Sequence, residues 1–282
     1  MSSINSIAII GSGTMGSGIA QVCAQAGYHV FLYDINDSAL DKAKVGIEKN
    51  LDTAVEKGKM TQNEKLESIK NILFTSKFED LKADLCLEAI LEKLEVKQDL
   101  MQRLAAQNSK DCILASNTSS IPITQIARGI PHPERVVGIH FFNPAHLMKL
   151  VEIIAGVETS DTVMDTAESL VLQLKKTPVK VKDAPGFIVN RVARHYYVEA
   201  LKLLEEDVAT LENIDALMES MGFRMGPFKL MDLIGIDTNF SVTSSLYEQF
   251  FYDPKFRPSR IQKQKVDAGH WGKKSGKGFY AS

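Results

Sequence analysis

Two ionisable side chains interrupt apolar runs in the middle of the chain. His140 follows Val136–Ile139 and precedes Phe141-Phe142-Asn143-Pro144, and Glu152 is flanked by Val151 and Ile153-Ile154 in the next run. A carboxylate inside a buried strand needs a partner. A histidine at the C-terminal end of a strand lies where open α/β sheets place ligands. Taken alone, His140 reads more readily as a satisfied core histidine, and Glu152 is what changes the reading. An imidazole that titrates near neutrality and is oriented by a carboxylate is a general-base candidate. His29, His132, His195 and His270 sit in surface-like or loop contexts and carry no such argument.

The second candidate is a turn. Gly11-Ser12-Gly13-Thr14-Met15-Gly16 has the spacing G-x-G-x-x-G, follows the apolar run Ile7–Ile10 and opens a helical pattern. The first glycine permits a tight turn, the second a close approach of backbone to a pyrophosphate, the third close packing of helix on strand. The helix then aims its N-terminal N–H groups at the phosphates. A second strand ends in Asp34, 18 residues beyond Gly16, near the spacing of the carboxylate that binds a ribose 2′-hydroxyl. That carboxylate repels a 2′-phosphate, so the cofactor predicted is NAD rather than NADP. FAD is bound by the same fingerprint, but no second flavin signal accompanies it here. The alternative is a glycine-rich turn beside an unrelated surface aspartate.

These residues need a sheet to hold them. Ile7–Ile10, Val30–Tyr33, Leu85–Ile90, Cys112–Ala115, Val136–Phe141 and Leu150–Ile154 are short apolar runs, several near-continuous, as strands covered on both faces are. Alternation with helical patterns implies a Rossmann-like α/β fold with a doubly wound, mostly parallel sheet. Between Asp34 and Leu85, Ile72–Phe74 is the first convincing strand. Leu40, Ala43, Ile47, Leu51 and Val55 recur at helical spacing, Gly58 stops the pattern, and Thr61 with Glu64 has capping-box spacing. A helical hairpin at about 38–70 is therefore expected. Asp183-Ala184-Pro185-Gly186 divides the chain into residues 1–184, a nucleotide-binding domain, and 185–282, an all-helical domain. So small a helical piece has few ways to bury its Ile, Leu, Met and Phe alone, which points to a homodimer formed through it.

Composition narrows the function classes. A chain of 282 residues with 44% hydrophobic and 24% charged residues fits a globular protein of one or two domains. Lys and Arg number 33 against 35 Asp and Glu, which excludes a dedicated nucleic-acid binder, because phosphate backbones demand a basic surplus. Cys23, Cys86 and Cys112 lie in apolar surroundings without CxxC spacing, so buried thiols in a reducing cytoplasm are expected, and no metal site. No run approaches a membrane span. The N-terminal apolar run has no basic flank and leads straight into glycines, so it reads as a strand and not a signal peptide.

Longer motifs add a resemblance. Gly11–Gln21 (GSGTMGSGIAQ), Ala115–Ser120 (ASNTSS), His140–Pro144 (HFFNP), Met148–Glu152 (MKLVE), Pro185–Arg191 (PGFIVNR) and Gly272–Tyr280 (GKKSGKGFY) span the chain in order. In these the sequence resembles the L-3-hydroxyacyl-CoA dehydrogenases, the bacterial single-function 3-hydroxybutyryl-CoA enzymes above all. The resemblance implies an NAD cofactor, an acyl-CoA substrate and residue roles. His140 matches the catalytic base, Glu152 the carboxylate that orients it, and Ser119 the serine that bonds the substrate 3-oxygen. Asn190 matches the asparagine that closes the site, and Asn143 a residue near the nicotinamide. Gly11, Gly13, Thr14, Met15, Gly16 and Asp34 match the nucleotide turn and ribose ligand, while Glu92, Lys97 and Lys274 match cofactor-contacting positions. The hairpin matches the segment that receives coenzyme A, with Lys57 a basic contact and Asn50 standing where relatives carry serine. On bland readings, Glu92 and Lys97 are a solvated helix face, Ser116, Ser119 and Ser120 are turn hydroxyls, and Lys57 and Lys274 are ordinary surface charges. Three other functions compete: a 3-hydroxyadipyl-CoA dehydrogenase, with Arg191 or Arg194 facing the extra carboxylate; a non-catalytic NAD-binding protein on the same scaffold; and a non-CoA hydroxy-acid dehydrogenase, against which the hairpin argues.

Overall fold

The computed structural model describes residues 4–280. By contacts the chain divides into two compact units, residues 1–184 and 185–282. The first holds one sheet of eight strands among the described residues: β1 (Ser6–Ile10), β2 (His29–Tyr33), β3 (Ile72–Thr75), β4 (Leu85–Glu88), β5 (Ile113–Ser116), β6 (Val136–Phe141), β7 (Leu150–Ala155) and β8 (Thr177–Lys182). Their order is β3-β2-β1-β4-β5-β6-β7-β8. The order reverses between β1 and β4, the crevice where such sheets bind ligands.

Every pairing is parallel except β6 with β7. Only residues 142–149 separate those two strands, and a parallel crossover needs a dozen residues or more. The chain must turn straight back. β8 lies where the sequence suggests no strand. It is an edge strand in which Lys180 and Lys182 are exposed and Pro178, Val179 and Val181 half-buried. Such a strand carries a weak apolar signal, because lysines and a proline are what edges tolerate.

Among the described residues this unit also holds six α-helices: α1 (Thr14–Gln25), α2 (Asp37–Glu56), α3 (Gln62–Lys70), α4 (Leu94–Gln107), α5 (Ile123–Ala127) and α6 (Asp161–Gln173). The hairpin α2–α3 lies between β2 and β3 in the chain. Leu40, Ala43, Ile47 and Leu51 form the buried stripe of α2 and join Ile19, Val22 and Cys23 of α1 in the main core. Asn36 caps α2 by accepting from Ser38 N–H at 2.9 Å. Thr61 and Glu64 form a reciprocal capping box on α3, Thr61 N–H donating to Glu64 at 2.7 Å and Glu64 N–H to Thr61 Oγ1 at 3.2 Å. Those two caps fix where the hairpin turns.

The second unit is helical: α7 (Val189–Glu205), α8 (Leu211–Ser220), α9 (Pro227–Ile234), α10 (Ile236–Gln249) and α11 (Arg260–Asp267). Tyr197, Leu201, Ile214, Phe228, Met231, Ile236 and Phe279 form its core. Two buried aspartates tie it together. Asp215 accepts from the N–H groups of Phe228 and Lys229 at the start of α9 and from Tyr280 Oη, while Asp232 accepts from Phe279 and Tyr280 N–H. No helix of the described residues is long and apolar enough to cross a membrane.

Candidate active site

The glycine turn is built by steric necessity. Gly11 has φ +100°, and a Cβ there would stand 2.6 Å from the Ala89 carbonyl oxygen. A Cβ on Gly16 would stand 1.7 Å from the Gly11 carbonyl oxygen. Gly13 is different: a Cβ would meet nothing of the protein within 4 Å. The face it leaves open is the one a ligand approaches. Gly13 is also the N-cap of α1, which receives no side-chain cap and has no acidic residue in its first turn. Its leading N–H groups and the positive end of its dipole therefore suit a pyrophosphate. Thr14 is exposed on that turn, while Met15 is half-buried against the core.

Asp34 closes the other side. Its Oδ2 accepts from Ser12 N–H at 2.9 Å and Ser12 Oγ at 2.8 Å, and its Oδ1 from Asn36 N–H at 3.1 Å. Turn and carboxylate are thus one hydrogen-bonded unit. A cleft of about 510 Å³ begins here, lined by Gly11, Gly13 and Asp34 on one side and Ile90, Val96 and Arg103 on the other. Arg103 is directed at the Phe78 ring, 4.2 Å from its centroid. An apolar slot with a carboxylate at its rim and an uncapped helix at its end fits an adenine dinucleotide.

His140 and Glu152 face each other as direct partners of the antiparallel β6–β7 ladder. Nδ1 lies 2.8 Å from Glu152 Oε2, and the residues are 5% and 1% exposed. An ionised carboxylate only accepts, so Nδ1 carries the hydrogen and Nε2 is the basic nitrogen. Glu152 thereby holds the ring in one tautomer and one orientation. Phe142 packs on the imidazole at 4.5 Å between centroids.

Ser119 sits in the loop after β5, and Glu92 shapes that loop. Glu92 Oε1 accepts from Thr118 Oγ1 at 2.5 Å, Ser119 N–H at 3.0 Å, and Ser120 N–H and Oγ at 3.2 Å. Behind it Lys97 is 1% exposed, with its ammonium 2.8 Å from both Glu88 oxygens and 3.1 Å from Glu92. Lys97 is therefore no part of a solvated helix face. Burial pushes the Glu88 carboxyl up, against the pull of Lys97 and of the Ser116 hydroxyl and Ile90 N–H that it accepts from. For Glu92 burial acts the same way, but Lys97, Thr118 and Ser119 outweigh it and hold the carboxyl below its usual range. Asn117 Oδ1 accepts from Phe141 N–H at 2.8 Å, which ties the serine loop to the residue after His140. Sequence reasoning passed over Glu88, Asn117 and Thr118. Glu88 ends the buried run Leu85-Cys86-Leu87, so the argument applied to Glu152 would have found it.

The remaining candidates are dispersed. Asn143 is exposed in the loop between β6 and β7, joined to Pro144 by a cis peptide bond. Asn50 on α2 donates to Gln21 of α1 at 3.2 Å, and Lys57 is exposed just past the end of α2. Asn190 and Lys274 belong to the second unit. Asn190 is half-buried in the first turn of α7, and Lys274 pairs with Asp237 at 2.6 Å. Arg194 is 3% exposed, with Nη1 donating to Asn239 O and Thr243 Oγ1 at 2.9 Å, so its charge is committed inside this unit. Arg191 is exposed beside the Phe250 ring.

Known proteins match along the whole length. Residues 6–184 match the family described as 3-hydroxyacyl-CoA dehydrogenase, NAD binding domain, and residues 186–282 the 3-hydroxyacyl-CoA dehydrogenase C-terminal domain. The chain is 48% identical over 282 residues to a 3-hydroxyadipyl-CoA dehydrogenase of Escherichia coli K12, covering 99% of this chain but 59% of that longer protein. It is 42% identical over 274 residues to a probable 3-hydroxybutyryl-CoA dehydrogenase of Deinococcus radiodurans, covering 96% of this chain and 98% of that one. The crystal structure of (S)-3-hydroxybutyryl-CoA dehydrogenase from Ralstonia eutropha superposes with a TM-score of 0.96 at 40% identity, covering 99% of both chains.

Proposed function

The chain belongs to the 3-hydroxyacyl-CoA dehydrogenase family, and from that premise we propose that it oxidises a (3S)-3-hydroxyacyl-CoA, with 3-hydroxybutyryl-CoA its substrate, to the 3-oxoacyl-CoA. The observation that carries the reading is the buried His140–Glu152 pair on a sheet whose first turn fits NAD. When bound, NAD supplies the acceptor for the hydride that leaves C3. His140 Nε2 takes the 3-hydroxyl proton, and Glu152 balances the imidazolium through Nδ1–H. Ser119 holds the 3-oxygen, in a loop that Glu92 fixes through its backbone. Asn143, Asn190 and Lys274 are assigned to the substrate and cofactor on the family pattern, and Asn50 and Lys57 to coenzyme A. A handle bound away from the reacting carbon lets remote binding energy act at C3.

A second reading has its own support. The identity to the E. coli 3-hydroxyadipyl-CoA dehydrogenase, 48%, exceeds the 42% to the D. radiodurans protein. Arg191 is then the cation offered to a terminal carboxylate, because Arg194 is already engaged. Steady-state kinetics with acetoacetyl-CoA, longer 3-oxoacyl-CoAs and 3-oxoadipyl-CoA, each with NADH and NADPH, test both. The proposal expects the highest kcat/KM for acetoacetyl-CoA with NADH. A preference for 3-oxoadipyl-CoA that Arg191→Ala abolishes selects the second reading, and no turnover of any of them overturns both. The reading also includes a homodimer through the helical unit and a cytoplasmic location. Three buried free thiols support a reducing compartment.

A further inference from the structure

Away from the glycine turn, at the N-terminal ends of β4 and β5, two thiols meet. Cys86 is the second residue of β4 and Cys112 immediately precedes β5, and their Sγ atoms are 3.8 Å apart. Neither touches the candidate active site. Beside them Arg135 is 3% exposed. Its guanidinium donates to the carbonyl oxygens of Ser109, Cys112, Ala105 and Pro131, all neutral acceptors, and its Nε has no hydrogen-bond partner. A buried cation matched only by neutral dipoles favours an anion in its neighbourhood. Its charge is felt at both sulfurs and pulls the thiols down.

The two thiols are unequal. The hydrogen bond shared with Cys86 and the Arg135 charge hold the Cys112 thiol below its usual range, against burial and the Asp84 carboxylate. The same hydrogen bond, together with burial, pushes Cys86 well up. A cavity of about 40 Å³ is lined by Cys112 together with Ser109, Asp111 and Thr166. Ser109 and Asp111 are exposed, so it opens towards solvent, and it has room for one water-sized molecule. A sulfur that lines an entry path, a second thiol in contact with it and a fixed cation nearby make an arrangement suited to thiol oxidation.

We propose that Cys86 and Cys112 form a peroxide-oxidisable dithiol, with Cys112 the attacking and Cys86 the resolving sulfur. The Cys112 thiolate attacks one oxygen of a hydroperoxide. An S–O bond forms, the O–O bond breaks, and the departing hydroxide takes up a proton as water. Cys112 is now a sulfenic acid, oxidised by two electrons, and the peroxide is reduced. Cys86 then attacks the Cys112 sulfur. An S–S bond forms, the S–O bond breaks, and the hydroxyl leaves as a second water with the Cys86 proton. Cys112 precedes its strand, in a turn where its N–H donates to Ser109 O, outside the β4–β5 pairs.

The third cysteine is a built-in reference. Cys23 is buried near the Lys176 ammonium, but burial outweighs that charge and raises its thiol to about 12. The test exposes the intact chain to hydrogen peroxide, quenches by alkylation, and follows all three cysteines by mass spectrometry while Trp271 fluorescence reports the fold. The expected result is a Cys86–Cys112 linked peptide, with both thiols lost at least about tenfold faster than Cys23. In Cys86→Ala, Cys112 instead accumulates a dimedone-reactive sulfenic acid, and in Cys112→Ala, Cys86 stays reduced. Loss of Cys86 and Cys112 no faster than Cys23, or only as the fold is lost, overturns the proposal, as does unchanged oxidation of Cys86 in Cys112→Ala.

Discussion

At His140 the direction of one hydrogen bond decides which nitrogen works. Glu152 accepts from Nδ1, so proton transfer to substrate runs through Nε2, and the two residues have separable roles. His140→Gln keeps a polar side chain of similar size but removes the base. Its kcat is expected to fall about 10²- to 10⁴-fold, with NADH affinity, read by fluorescence titration, unchanged. Near-normal turnover in that variant would remove His140 from the mechanism. The pair was legible in the sequence, because each residue interrupts an apolar run and buried charge is informative wherever it occurs. Glu88 interrupts a run in the same way and holds Lys97, but it ends its strand and so resembles the start of a loop. Lys97 was legible only as a type at a position. Nothing in one-dimensional spacing says that a lysine on α4 points inward.

At the scale of elements, the loop that carries Ser119 depends on a carboxylate from another segment. Glu92 receives its hydrogen bonds as an anion, and its carboxyl titrates below the usual range. The sign follows from linkage: a depressed carboxyl contributes stability above its unfolded-state pKa and loses it as the pH falls through the folded value. Glu92→Gln is therefore expected to melt about 2–4 °C lower than the parent near neutral pH, with the gap closing as the pH drops below 4.5, the ordinary value for a glutamate. Calorimetry across that range checks it, and a gap independent of pH would contradict it. The same variant should lower kcat, since the Ser119 N–H loses a charged acceptor. Strands with buried faces and the capped hairpin were readable, because apolar runs and a Thr-x-x-Glu box are local signals. The reversal of β7 was not read, although the eight residues 142–149 before it are too few for a parallel crossover. β8 was not, because an edge strand with outward lysines has little pattern to find.

At the scale of the whole molecule, the near-neutral charge conceals local structure. Residues 254–282 carry eight Lys and Arg against one acid, Asp267, and in this stretch Lys255 pairs with Asp253, Lys263 with Asp267 and Lys274 with Asp237. The stretch is thus partly neutralised within its own unit. That unit also exposes apolar side chains, with Val192 67%, Leu217 60%, Met221 68% and Phe251 91% exposed. The proposed homodimer would cover side chains of this kind, and sedimentation equilibrium is expected to find two chains per particle, reduced to one by Val192→Glu or Met221→Glu. A monomer for the unmodified chain would refute the dimer. One further consequence lies in folding. His140 and Glu152 are 12 residues apart and meet across a single hairpin, whereas the Ser119 loop needs contacts spanning 26 or more residues, and the β1–β4 seam beside the glycine turn is stitched by bonds spanning 78. Contacts of short sequence separation have the lowest closure cost and form readily. A chain recovering from denaturation should therefore regain its acid–base pair before its nucleotide crevice, and hydrogen exchange should find β6–β7 protected ahead of β1–β4.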